Sequence, residues 1–490
     1  MAGAAGGAGE PWTRRLLATP WFLAFVPINA ATAGFGVVLP LLILLPLHGT
    51  WGEVAVAATI FNAAVIGSSV LWGHLADRYP RRRLFLVVNY GGYALLYLFI
   101  ASWPSVGTLY ALYGVIGLIA PAGASASTLL ILEKFPEPSR ASAYGSFQMI
   151  SIVGSMAGLL LGYLWTTDAY SLYPLLDLLA ALAAVSAIAI WLLVSEGARP
   201  ARTTQVARHP ESLMARVRQS ASFRVPIPFF PVRPRLTSTA LRRFVRWGRE
   251  ELRHELPLVL ASMFLFNFSS NVFNISLTPY LTSAGVAASS IFLVNFANSA
   301  GQGLAFPFSG LANGRVGPDR LVRISTYVRS LSYLATAGFS LAVLAAPQAF
   351  AANLTSYAVA GGAIAFFTVA SSMMLFRSLR GRDSGRVLGV NSALGGVAAV
   401  LGAAFSGIVA VVGSFTVAFL VAAGGLLASL PLWAAATLAY RRRHADPAAA
   451  GPGFAGPDSP PPPPGEAPAP SGMARAPSVG GARGSSTKTG

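Results

Sequence analysis

Lysine and arginine are missing from six long stretches of this chain, residues 16–77, 84–133, 141–198, 254–314, 330–376 and 387–440. Each stretch is strongly apolar and broken near its middle by turn residues. Roughly 20 residues of helix cross a bilayer core about 30 Å thick. Stretches of 47 to 62 residues therefore each hold two crossings and the short turn between them. The turns, at 46–52, 102–107, 166–174, 282–286, 346–351 and 412–414, carry Gly, Pro and Ser but no cation. The cations collect at the opposite ends of the spans: Arg78 with Arg81, Arg82 and Arg83, then Lys134 and Arg140, Arg315 and Arg320, and Arg380, Arg382 and Arg386. Cytoplasmic loops carry such an excess of Lys and Arg. The expectation is an all-α membrane protein with twelve transmembrane helices in two pseudo-symmetric six-helix bundles, both termini cytoplasmic, as a multi-pass protein of the plasma or inner membrane. The expected spans are 18–46, 52–74, 84–102, 107–132, 143–165, 172–195, 257–281, 287–311, 321–345, 352–376, 387–411 and 415–440.

Composition removes several function classes. The net charge of +18 would suit nucleic acid, but it lies in loops beside apolar spans, where topology and anionic headgroups account for it. Without cysteine there are no disulfides, thiolate metal sites or Cys nucleophiles. The five histidines, His48, His74, His209, His254 and His444, all fall outside the deep part of any span, which argues against a membrane metalloenzyme.

The organisation reads as a cytoplasmic N-terminus (1–17), a first six-helix bundle (18–195), a basic central loop (196–256), a second bundle (257–440) and a Pro/Gly/Ala-rich cytoplasmic tail (441–490) expected to be disordered. The central loop carries 13 Arg and 5 Glu. Within it, residues 241–255 place arginines on one side and Leu241, Phe244, Val245 and Leu252 on the other, as a helix on the inner membrane surface or a solvated linker helix. The two bundles echo each other faintly. Gly73-His74-Leu75-Ala76-Asp77-Arg78 after the second span matches Ser309-Gly310-Leu311-Ala312-Asn313-Gly314 after the eighth, and the spacing of Gly145 and Gly158 recurs in Gly389 and Gly402.

The loop after the second span supplies Gly73, Leu75, Asp77, Arg78, Arg81 and Arg82 in the pattern G-x-L-x-D-[RK]-x-G-[RK]-[RK], departing at Pro80 where that pattern has Gly. On these residues the chain resembles the major facilitator superfamily. The resemblance implies that Asp77 pairs across to the second bundle, near a helix start at Arg386, and helps to lock the outward-open state. Span five offers a second likeness. Gly145, Gly154, Gly158 and Gly162 are spaced as in the G-x8-G-x3-G-P-x2-G-G pattern of the drug/proton antiporter branch, with Leu159 and Tyr163 replacing the Pro and the final Gly. Small residues at this spacing let another helix approach closely.

Amides define the expected substrate pathway. Asn267, Asn271 and Asn274 share one face of span seven, and Asn295, Asn298 and Gln302 one face of span eight. Asn29 and Thr32, Asn62, Gln148, Tyr357 and Asn391 add to them from spans one, two, five, ten and eleven. Amides facing lipid would lack partners, so these faces should turn to a cavity or another helix. Phe25, Phe35, Phe266, Phe268 and Phe273 could supply apolar walls. In the family resembled, helices one, four, seven and ten line the cavity, and helix four often has an Arg about where Tyr113 stands here. A proton carrier needs a carboxylate whose pKa is raised by burial, and Asp177 is the candidate. Arg329 is expected to snorkel to the inner surface.

The reading is a secondary active transporter moving a small neutral or amphipathic solute by rocker-switch alternating access. Multidrug-type efflux stands ahead of uptake of a neutral metabolite such as a sugar, and a non-transporting sensor or scaffold is the remaining alternative. A membrane enzyme would need clustered His, Asp, Glu or Cys. Expected partners are the small-molecule substrate, the lipid bilayer and protons as coupling ion, with the chain a monomer needing neither cofactor nor metal and binding no nucleic acid.

Overall fold

The computed structural model describes residues 20–79, 81–135, 137–168, 171–194, 255–378 and 384–445. The N-terminal 17 residues, the amphipathic segment at 241–254, Pro80 and the Pro-rich tail from 446 lie outside the described residues, as do the side chains of Asp77, Arg78, Arg140 and Arg386. A 3-10 turn, Pro20–Phe25, leads into α1 (Val26–Leu44). There follow α2 (Trp51–Arg78), α3 (Arg82–Ser102), α4 (Val106–Lys134), α5 (Glu137–Thr167) and α6 (Leu172–Leu193). The second half comprises α7 (Glu255–Ser283), α8 (Ala288–Val316), α9 (Pro318–Leu341), α10 (Ala346–Ser378), α11 (Ser384–Val412) and α12 (Phe415–Ala445). Among the described residues there is no strand.

Ten of the twelve helices are long and apolar enough to cross a bilayer. The other two, α8 and α9, have the length at 29 and 24 residues but carry Asn295, Asn298 and Gln302, or Arg320, Arg323 and Arg329. Several helices overrun their expected spans at the basic-loop end: α5 starts at Glu137 and α8 continues to Val316. Backbone hydrogen bonding does not stop at the edge of the apolar stretch. Turns at the other end are built by local capping. Thr50 and Glu53 form a reciprocal box at the start of α2, with the Thr50 N–H donating to Glu53 Oε2 at 2.6 Å. Glu53, at the mouth of the second span, is thus a helix cap.

Each half repeats one packing scheme. In the first, α1 lies on α5 and α6, α2 on α4, and α3 on α4 and α6; in the second, α7 lies on α11, α8 on α10, and α9 on α10. Glycines set the closest approaches. A Cβ on Gly154 of α5 would lie 2.7 Å from the Val26 carbonyl oxygen and 2.9 Å from Asn29 Cβ on α1; one on Gly402 of α11 would lie 2.7 Å from the Phe268 oxygen and 2.9 Å from Asn271 Cβ on α7. Gly402 is therefore the counterpart of Gly154, whereas sequence spacing had aligned it with Gly158. Gly158 itself rests on the Ala30 backbone so closely that any side chain would collide with the carbonyl.

Charged pairs at the basic-loop end repeat the scheme with their signs exchanged. Arg82 at the start of α3 donates through Nε to Glu133 Oε1 at the end of α4, 3.0 Å. At the matching corner of the second half, Asp319 opens α9 and takes a fork of two bonds, 3.0 and 2.8 Å, from Arg377 near the end of α10. Thr437 of α12 adds a third bond to that carboxylate, 3.0 Å.

One side chain stands in for a missing backbone hydrogen bond. Where the 3-10 turn passes into α1, the Ser186 hydroxyl of α6 accepts from Ile28 N–H at 2.9 Å and donates to the Ala24 carbonyl at 2.6 Å. It stands between two groups that a regular α-helix would pair directly. Ser186 is fully buried, so Ser186→Ala would strand both. The expected cost is about 1–3 kcal/mol, read as a lowered thermal midpoint with the helix content unchanged.

Candidate substrate cavity

The halves touch across α2–α11 and α5–α8, and these contacts run from the short-turn end to the middle. At the short-turn end Trp51 is buried, donates to Ser406 Oγ at 3.1 Å and stacks on Phe415 at 4.4 Å. Ser406 in turn bonds Ser276 of α7 at 3.0 Å. Across the other seam the Phe292 ring fills the notch left by Gly162. Midway, Gly396 meets Ile66 and Gly303 meets Ile152. Toward the basic-loop end, Gly73, Gly145, Gly310 and Gly314 on these same helices have none of the described residues within 4 Å of where a Cβ would stand. Among the described residues the halves are clamped at the short turns and in the middle of the spans.

Between them lies a cavity of about 400 Å³. Its walls differ in chemistry. The first half contributes chiefly Ala33, Gly36, Val37, Leu39 and Pro40 from α1, Val54 and Ala58 from α2, and Ile152 and Leu159 from α5; its polar members are Tyr113 and Ser155. The second half contributes Asn274 and Thr278 from α7, Asn295, Asn298, Ser299 and Gln302 from α8, and Tyr357 from α10, with Ile275 its one aliphatic member. Among the described residues no carboxylate or basic side chain lines this cavity.

The polar wall is internally bonded. Tyr357 OH donates to Asn274 Oδ1 at 3.0 Å, Asn298 Nδ2 donates to the Tyr357 carbonyl at 3.1 Å, and Gln302 Nε2 donates to Asn298 Oδ1 at 2.8 Å. Among the described residues this leaves Asn274 Nδ2 as a donor, and Gln302 Oε1 and Asn295 Oδ1 as acceptors, without a protein partner, as a solute-binding face requires.

Behind the walls each half holds an aromatic triad. Phe35 of α1 stacks on Tyr97 of α3 at 4.3 Å and leans on Tyr113 of α4 at 5.8 Å. Phe273 of α7 stacks on Tyr333 of α9 at 3.7 Å and leans on Tyr357 of α10 at 5.7 Å. Both cavity tyrosines are followed four residues later by a glycine, Gly117 or Gly361, seated on a neighbouring backbone at the Phe61 or Asn298 carbonyl. The Tyr-x3-Gly repeat is the signal in the sequence that could have identified Tyr113 as the partner of Tyr357 across the cavity.

Of the residues singled out from sequence, Asn274, Asn295, Asn298, Gln302 and Tyr357 come together on this cavity. Asn29, Asn62, Gln148, Asn267, Asn271 and Asn391 fall outside its lining. Four of these turn their amides onto their own helices: Asn29, Asn62, Asn267 and Asn271 donate to Phe25, Ala58, Met263 and Asn267 carbonyls at 2.7–2.9 Å, a local bond that satisfies the donor in place. Phe25, Phe35, Phe266, Phe268 and Phe273 pack with other rings behind the cavity and not on its surface.

Two charged residues sit elsewhere than expected. Asp177 is exposed, because α6 buries Leu172, Leu175, Leu176 and Leu179 and Asp177 lies on its opposite face, away from the cavity. Arg329 does not snorkel: it is 2% exposed. Its Nε donates to Tyr333 OH at 2.8 Å and its Nη1 to the Ala360 carbonyl at 3.1 Å, with the Phe266 ring 5.3 Å away. These bonds hold the guanidinium inside the second half.

Paired six-helix halves, meeting along two seams around a solute-sized cavity within apolar spans, have the architecture of a membrane transporter. A family model described as Major Facilitator Superfamily matches residues 21–247 and 259–479, and the chain belongs to that family. Among curated proteins it is 37% identical over 109 residues to the puromycin resistance protein pur8 of Streptomyces alboniger, a match spanning 22% of this chain and 22% of that protein's length. Among solved structures it is similar to the nucleoside transporter NupG (TM-score 0.58, 14% identity, 87% of this chain and 99% of that one). It is also similar to the xylose transporter XylE from E. coli in a partially occluded inward-open conformation (0.55, 16%, 85% and 96%). A third likeness is a POT family transporter in complex with a thioalcohol-conjugated peptide (0.63, 12%, 89% and 98%). At these identities the structural likeness concerns the fold alone.

Proposed function

We propose that this transporter exports an uncharged amphipathic solute by alternating access, from a cytoplasmic side marked by the basic loops. The observation that carries the reading is the split cavity: an apolar wall from the first half faces an amide and hydroxyl wall from the second, with no formal charge between them. A solute with one apolar and one hydrogen-bonding end satisfies both walls at once. The clamp at the short turns supports reading this state as the inward-open member of an alternating pair. The partial likeness to a puromycin resistance protein supports the export direction. Protons are the proposed coupling ion, and a monomer in the plasma or inner membrane the proposed form, with both termini cytoplasmic.

The test is reconstitution in liposomes enclosing a pH-sensitive dye, challenged with uncharged aromatic amphiphiles of graded polarity. Solute accumulation against its gradient, coupled to dye response, is the expected result; flux that merely equilibrates and leaves the dye silent would sink the coupled-export reading. Uptake of a hydroxyl-rich neutral metabolite is the second reading, favoured by the four-residue amide cluster Asn274, Asn295, Asn298 and Gln302. Sugar counterflow in the same vesicles would select it. Removing residues 446–490 separates both from a scaffold role, since a transporter keeps its flux without them.

A further inference from the structure

The two aromatic triads differ at one telling position. One helical turn before the stacked tyrosine, the first half has Tyr93, whose ring lies 6.0 Å from Tyr97. The second half has Arg329, hydrogen-bonded to Tyr333. The same scaffold thus folds with a phenol at this place, so packing alone does not call for a cation. Among the described residues no carboxylate pairs with Arg329; its partners are a phenol, a carbonyl and two aromatic faces. An uncompensated charge within a span is expensive, and its retention points to function.

Its location says which function. The guanidinium reaches α10 at Ala360, about one turn beyond Tyr357. Tyr357 forms part of the polar cavity wall. The Tyr333 and Phe273 rings bridge the remaining distance to Tyr357. Arg329 therefore stands directly behind the polar wall, out of reach of a solute but not of its charge. A unit charge about 10 Å away at an effective dielectric of about 20 alters a binding equilibrium roughly tenfold.

We propose that Arg329 is the charge filter of the transport cavity: its fixed positive charge disfavours organic cations and selects uncharged or anionic amphiphiles. The inference rests on the reading of the cavity as the solute path, and names the class of solute admitted.

The probes are tetraphenylphosphonium and tetraphenylborate, alike in size and opposite in charge. Binding is measured on the full-length protein in nanodiscs and corrected for partition into empty nanodiscs. Only the portion lost in Gly36→Trp, which fills the cavity, is counted. The wild type should favour the borate. In Arg329→Gln the borate should weaken and the phosphonium tighten by about tenfold each, moving their ratio about a hundredfold. Arg329→Tyr, which copies the first half, should follow the glutamine variant and serves if that variant fails to fold. An unchanged ratio in the neutral variants, equal losses for both ions, or a wild type that prefers the phosphonium would each overturn the filter. Absence of any Gly36-sensitive binding would instead remove the cavity reading, and the filter with it.

Discussion

Gly36→Trp should abolish transport while leaving the protein folded. Gly36 is exposed on the α1 side of the cavity, and nothing lies within 4 Å of where its Cβ would be. An indole there has nowhere to go but into a space of about 400 Å³, where it displaces solute and water. Flux should fall by at least about a hundredfold, to the background of empty liposomes, because most of a bound solute's surface must be buried in such a site. The thermal midpoint should move by no more than about 3 °C, because no packed contact is broken. Two residues earlier the outcome reverses. A Cβ on Gly34 would lie 2.9 Å from Leu179 Cδ2 on α6, so Gly34→Trp overpacks a helix interface at a cost of about 1–3 kcal/mol or more. The pair separates a blocked cavity from a damaged fold. Transport by a well-folded Gly36→Trp protein within twofold of wild type would show that solute passes elsewhere.

The twelve helices were legible because lipid imposes a simple rule, and a chain obeying it keeps cations out of its spans. The cavity was legible only in part. Asn295, Asn298 and Gln302 share one helical face and reach the cavity together, but Asn267 and Asn271 share a face with Asn274 and do not. Helical spacing tells which side chains point the same way; it does not tell what waits there, and α11 with Gly402 waits beside Asn271. The internal repeat was faint for a related reason. Its two copies keep geometry and exchange chemistry: Arg82 with Glu133 becomes Asp319 with Arg377, and Tyr93 becomes Arg329. Identity is lost while the contact survives. Arg329 departs from expectation because a long cationic side chain near a helix end ordinarily reaches water; Tyr333, one turn on in the same helix, was visible as a partner, but nothing in that helix announces the Ala360 carbonyl of α10 that completes its seat.

Joining Ala55→Cys to Gly407→Cys should stop transport when oxidised and restore it on reduction. Ala55 lies on α2 and Gly407 on α11, at the short-turn end of one seam between the halves. A Cβ on Gly407 would stand 3.2 Å from Ala55 Cβ, near the separation of about 3.5–4.5 Å that a disulfide needs. The chain has no cysteine of its own, so the introduced pair faces no competing thiol. The bond would lie one turn below Trp51, itself tied to Ser406 and stacked on Phe415, and would make that clamp permanent. If solute leaves by separation of the halves at this end, a covalent clamp must hold the cavity open to the basic loops alone. Solute binding should survive oxidation, because the cavity and its polar wall are untouched, whereas flux should vanish. That combination, binding without passage, is what distinguishes alternating access from a fixed pore, which the bond would leave conducting. Full flux through protein shown on a gel to be quantitatively cross-linked would mean that the halves need not part at the short turns.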